Sequence, residues 1–144
     1  MPSAPRGGKR VLIVDDDEPY LKVTERLLRS AGYDVVTRTG VLGTSFVVSS
    51  VRPDVVLVDL NMPMVNGDRL VPLMMRGRFE PPYISPYVVL YSGVDEKVLK
   101  RRALECGADD SIPKGLTPKE FLARVAECVG KAEAARELRE GHDG

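Results

Sequence analysis

Three times along the chain a run of four apolar residues stops abruptly on a polar side chain. VLIV (11–14) runs into Asp15, VVLV (55–58) into Asp59, and VVLY (88–91) into Ser92. None of these runs alternates apolar with polar residues, as a strand with one wet face would. Continuous short runs bounded by turn residues suit strands buried on both faces, the condition of a parallel sheet between helical layers. The segments between them carry helical spacing, as in Tyr20, Val23, Leu27, Leu28 and Ala31 ahead of Gly32. Strands are read at 11–14, 33–37, 54–59, 87–91 and 110–112, and helices at 19–31, 39–51, 68–76, 94–106 and from Pro118 onward. Pro72 is expected to kink the third helix or delay its start. Thr117-Pro118-Lys119-Glu120 is a capping box that opens the last helix. The alternation predicts an α/β three-layer sandwich, a doubly wound (βα)5 fold on a five-stranded parallel sheet.

Composition narrows the class. The chain has 144 residues, enough for one domain with a sizeable core. Residues 1–9 are small, basic and rich in Pro and Gly, and read as a disordered lead-in. The domain is assigned to 10–130, and 131–144 to a charged tail or helix extension. Lys+Arg and Asp+Glu both count 21, so no bulk charge attracts nucleic acid. Cys106 and Cys128 lie in helical patterns and read as core fillers of a reducing compartment. No apolar run is long enough for a membrane span and no secretory signal is visible. A cytoplasmic location is the default expectation.

In an open parallel sheet, ligands bind beyond the carboxyl ends of the strands. Asp15 and Asp16, Asp59, Ser92 and Lys114 all follow strands, so parallel strands would bring them to one rim. Close carboxylates repel one another, and a hard divalent cation such as Mg²⁺ is their natural counter-charge. A carboxylate held there beside a lysine and a hydroxyl can accept a phosphoryl group. Plainer readings remain open at each position. Asp15, Asp16 and Asp17 would also favour a helix N-terminus, Asp59 could be a turn acid, Lys114 a solvated lysine, and Ser92 a helix cap.

Together VLIVDDDEPY, RPDVVLVDLNMPMVNG, VVLYSG and CGADDSIPK, followed by the capped helix, resemble the receiver domain of two-component response regulators from about Lys9 to Val129. The resemblance implies the flavodoxin-like fold and a role for each matching residue. Asp59 would be the phosphoacceptor. Asp15, Asp16, Asp59 and the backbone carbonyl of Asn61 would hold Mg²⁺, with Asp16 the more direct ligand of the acidic pair. Ser92 and Lys114 would contact the phosphoryl group, and Gly67 would end the loop after the acceptor. The implied donor is a histidine kinase or histidine phosphotransfer protein. The implied output is a downstream protein effector or a dimer partner, with neither nucleic acid nor membrane contacted by this segment. The activity implied is that of a phosphoacceptor rather than an enzyme, with at most slow self-phosphorylation and self-dephosphorylation.

Three features depart from the family pattern. Ser111 stands where an aromatic switch residue is usual, and Tyr91, Tyr87 or another ring would have to substitute for it. Gly115 stands where proline commonly follows the lysine, so the lysine loop is expected to sit differently. Pro72 and the proline-rich 76–86 stretch lengthen one connection. Two other functions share parts of this pattern. A receiver-like module could dock or dimerise independently of phosphate, with the uncharged 39–51 helix as a contact face. A dehalogenase-like phosphatase would want a second aspartate at Asn61 and a cap domain, and the chain offers neither. The segment after 130 is too short for an output domain, which fits either a stand-alone receiver or one cut from an effector.

Overall fold

The computed structural model describes residues 9–40, 44–59 and 86–143. The expected helix 68–76, Asn61, Gly67, Pro72, nearly all of the lead-in and almost all of the proline-rich stretch lie outside the described residues. Strands β1 (Arg10–Val14), β2 (Asp34–Arg38), β3 (Val55–Asp59), β4 (Tyr87–Ser92) and β5 (Asp110–Pro113) form one sheet in the order β2-β1-β3-β4-β5. Every pairing is parallel. The helices described are α1 (Glu18–Ser30), α2 (Thr44–Val51), α3 (Glu96–Cys106) and α4 (Pro118–Asp143). The chain order reverses direction across β1 and β3, and that switch point opens a crevice at the carboxyl rim.

The uninterrupted apolar runs are explained by burial on both faces. Residues 11–14, 55–58 and 88–90 are completely buried. Along each strand successive side chains enter opposite layers. Val11, Ile13, Leu57, Tyr91 and Ile112 pack with Leu21 and Leu28 of α1 and Phe121 and Val125 of α4. Leu12, Val14, Val58 and Leu90 pack with Val48 of α2 and Leu99 and Ala103 of α3. Each such side chain removed from water contributes about 1.5–3 kcal/mol. Cys128 is fully buried in the first layer. Burial, with Asp110 nearby, pushes its thiol up to about 12, so it stays an inert thiol.

Helix boundaries follow local chemistry. Asp17 caps α1 by accepting from the Tyr20 N–H at 3.1 Å, and Gly32, at φ 96°, turns the chain beyond its end. The capping box opens α4 as expected: the Glu120 N–H donates to Thr117 Oγ1 and the Thr117 N–H donates to Glu120 Oε1. The charged tail continues that helix to Asp143 rather than fraying. Two expectations are corrected. Thr39 and Gly40 are not helical, and α2 is described only from Thr44. The cap of α3 is Asp95, which accepts from the Lys97 N–H at 2.9 Å, and not Ser92. Among the described residues no helix is long and apolar enough to cross a membrane.

Candidate functional site

Register aligns the carboxyl ends of the strands. Val14 pairs with Val58, Asp59 with Tyr91, and Ser92 with Pro113, so Asp15 and Lys114 emerge beside Asp59. One carboxylate oxygen from each of Asp15, Asp16 and Asp59 lies within 4.8 Å of the others. Asp15 is completely buried, Asp59 is 7% exposed, and Asp16 is open to solvent. The acidic triplet therefore divides its work. Asp17 caps the helix, while Asp15 and Asp16 turn toward Asp59. Asp15 Oδ1 accepts from the Asp17 N–H at 3.0 Å, which fixes the carboxylate's orientation.

Lys114 supplies the opposing charge. Its Nζ donates to Asp15 Oδ2 at 2.8 Å and lies 3.9 Å from Asp59 Oδ2. Continuing the strand alternation, Asp15, Asp59 and Lys114 fall on the α1/α4 side of the sheet, and Ser92 on the other. Ser92 is buried, and its Oγ accepts from the Val94 N–H at 3.3 Å. Its carbonyl accepts from the Lys114 N–H at 2.7 Å, so strand pairing itself anchors the lysine. Gly115 follows at φ 94°, a left-handed conformation that proline, locked near −65°, cannot adopt. The lysine loop thus departs from the proline-containing pattern because its turn requires positive φ.

Two residues join this site that the sequence does not assign to it: Tyr20, legible as a helix-face residue, and Tyr91, legible as a strand residue and as a substitute for the aromatic switch. The Tyr20 ring centroid lies 4.6 Å from Lys114 Nζ and the Tyr91 centroid 5.3 Å. The Tyr91 hydroxyl donates to that of Tyr20 at 3.0 Å. Burial, then the bond to Tyr20, pushes the Tyr91 phenol well above its ordinary range, so it stays protonated. Tyr91 immediately precedes Ser92, and alternation alone puts its ring on the lysine's side of the sheet. That was the available signal.

The same alternation settles the substitution expected for Ser111. Tyr87 and Tyr91 both belong to the α1/α4 layer, whereas Ser111 is buried on the side of α3. There it lines a cavity of about 230 Å³ with Lys100, Ala103 and Leu104. Neither ring occupies the position vacated by the aromatic residue.

All donors in the acidic cluster are carboxylate oxygens, which suits a hard divalent cation with several retained waters. Comparison with known proteins then decides the family. A sequence profile described as "Response regulator receiver domain" matches residues 11–126. The chain belongs to the response regulator receiver domain family. This receiver domain is 32% identical over 130 residues to the transcriptional regulatory protein KdpE of Mycobacterium tuberculosis, covering 90% of the chain and 55% of that protein. It is 28% identical to the alkaline phosphatase synthesis transcriptional regulatory protein PhoP of Bacillus subtilis, covering 88% of the chain and 51% of the relative. The chain therefore spans about half the length of these curated relatives. In structure it is similar to a CheY-like receiver domain from Methanospirillum hungatei, with TM-score 0.75, 25% identity and coverage of 88% and 98%. The BeF3-activated receiver domain of Klebsiella pneumoniae RstA superposes with TM-score 0.71 at 27% identity, covering 84% of this chain and 98% of that one.

Proposed function

We propose that Asp59 accepts a phosphoryl group from a histidine kinase or histidine phosphotransfer protein in a Mg²⁺-dependent reaction, and that this switches a protein-interaction surface. The observation that carries the reading is the meeting of Asp15, Asp16 and Asp59 within 4.8 Å, with Lys114 Nζ 3.9 Å from Asp59. Asp15, Asp16, Asp59 and the Asn61 carbonyl would hold the cation, which when bound supplies neutralising charge for phosphoryl oxygens. An Asp59 carboxylate oxygen forms the new bond to phosphorus as the donor's phosphorus–nitrogen bond breaks, and the imidazole leaves with the electron pair. Rigid placement at the end of a fully buried strand favours that attack by positioning. Lys114 and the Ser92 hydroxyl then hold the phosphoryl oxygens, with Lys114 sharing its charge between Asp15 and the modified Asp59.

On this reading the chain is a signalling acceptor in the cytoplasm and acts on no other substrate beyond slow self-phosphorylation and self-dephosphorylation. Its output is a protein effector or a second copy. A docking module independent of phosphate would not need all three acids, and the complete set weighs against it. Beryllofluoride titration followed by ¹⁹F NMR tests the reading. A bound resonance that requires Mg²⁺ and disappears with EDTA is expected. Absence of any bound signal at saturating Mg²⁺ and fluoride would favour the constitutive docking module.

A further inference from the structure

We infer that Tyr20 and Tyr91 are positioning residues for Lys114, forming an aromatic seat that holds the ammonium between Asp15 and Asp59. The inference rests on the phosphoacceptor reading and names the part of the machinery that stands behind its lysine. An ammonium on four flexible carbons is a strongly hydrated point charge without a preferred direction. In this site its side chain is only 17% exposed, so much of its water is gone. Asp15 and Asp59 lie to one side of it, at 2.8 and 3.9 Å. The ammonium also lies over the rings of Tyr20 and Tyr91, 4.6 and 5.3 Å from their centroids, and their negative π faces replace lost hydration.

The seat is itself fixed. Tyr91 is 2% exposed and packs against Phe121 of α4 with ring centroids 5.6 Å apart. Tyr20 comes from α1, packs on Tyr91 at 5.9 Å and shares the hydroxyl hydrogen bond at 3.0 Å. The Tyr20 carbonyl also accepts from Thr24 Oγ1 at 3.0 Å. Without the seat, the four-carbon stem would regain its freedom and the ammonium its water, and less of its charge would face Asp59. With it, the cation keeps a position from which one short shift reaches a phosphoryl oxygen. The rings also line a cavity of about 260 Å³ with Val23, Leu27, Leu116 and Phe121. A shift of Lys114 is consequently felt between α1 and the start of α4, on the opposite sheet face from Ser111.

The test compares ring removal with ring retention at Tyr20, which is only partly buried and tolerates change better than Tyr91. Tyr20→Leu should weaken Mg²⁺–beryllofluoride binding roughly three- to tenfold, while Tyr20→Phe, which keeps the π face, should stay within about twofold of wild type. In a Lys114→Met background the Tyr20→Leu change should have no further effect, because the residue it positions is gone. Equal losses in the Leu and Phe variants would overturn the inference, as would an undiminished Leu effect without the lysine. A second readout is independent of phosphoryl chemistry. The Lys114 ε-methylene protons should be displaced upfield by ring currents and relax toward ordinary values in Tyr20→Leu. Ordinary ε-methylene shifts in wild type would contradict the seat. A wild type that binds no beryllofluoride yet has displaced ε-methylene protons would retain the seat and overturn the acceptor reading instead.

Discussion

The two rims of the sheet carry charge in opposite ways. At the amino rim, Lys9 meets Glu133 at 2.9 Å, Arg10 meets Asp34 at 2.7 Å, and Arg136 meets Asp54 at 3.0 Å. Asp54 additionally accepts from the Arg10 N–H at 2.8 Å. Lys131 and Arg124 likewise pair with Asp110 at the start of β5, and the pairs that involve Glu133, Arg136 and Lys131 fasten α4 to the strands. At the carboxyl rim, Asp15, Asp16 and Asp59 face Lys114 alone among the described residues that make ion pairs with them. Among these four described residues the acids outnumber the lysine, and two of the three acids are buried. A fold gains nothing in stability from such crowding. The balanced rim ties helix to sheet, and on the proposed function the acidic rim is where a cation and a phosphoryl group would meet.

The contrast can be broken by substitutions at either end. Lys114→Ala should produce the largest effect, reducing phosphoryl uptake from acetyl phosphate by about two orders of magnitude, because it removes the preplaced charge. Stopped-flow or mass-spectrometric rates at fixed Mg²⁺ measure this. At the opposite rim Asp54→Ala should cost about 1–2 kcal/mol of stability in urea melts, since it strands the partly buried Arg136 and the Arg10 N–H. Its rate of phosphoryl uptake should equal wild type. The smallest change in stability is expected for Asp16→Asn, which relieves like-charge repulsion and should raise stability by less than about 1 kcal/mol at low salt. The same variant should lose divalent-cation binding by calorimetry, and its stability gain should shrink in high salt. A stabilised Asp54→Ala or a destabilised Asp16→Asn would reverse the assignment of the rims.

How much of this was legible in the sequence depends on the range of the interaction. The βα order, the parallel sheet and the rim containing Asp15, Asp59 and Ser92 follow from runs of like residues and from where each run ends. The α4 capping box was legible because its two hydrogen bonds join residues three apart. The start of α2 was not, because an uncharged apolar stretch carries no boundary signal. Nor was Asp95 as the α3 cap, since Ser92 was an equally good capping residue three positions earlier. The seat under Lys114 joins residues from α1, β4 and the turn after β5, which are distant in sequence. Strand alternation assigns Tyr91 to the correct layer, but only the packing of α1 brings Tyr20 to the ammonium. Gly115 was legible as a departure, and its cause, a positive φ, needed the folded turn.

The central claim is that Asp59 is the acceptor. Intact-mass measurement after incubation with acetyl phosphate and Mg²⁺, on wild type and Asp59→Asn side by side, tests it most directly. The account predicts one added phosphoryl group on wild type, none on Asp59→Asn, and loss of the adduct's formation with EDTA. Equal phosphorylation of the two proteins would contradict it and move the chemistry away from the end of β3.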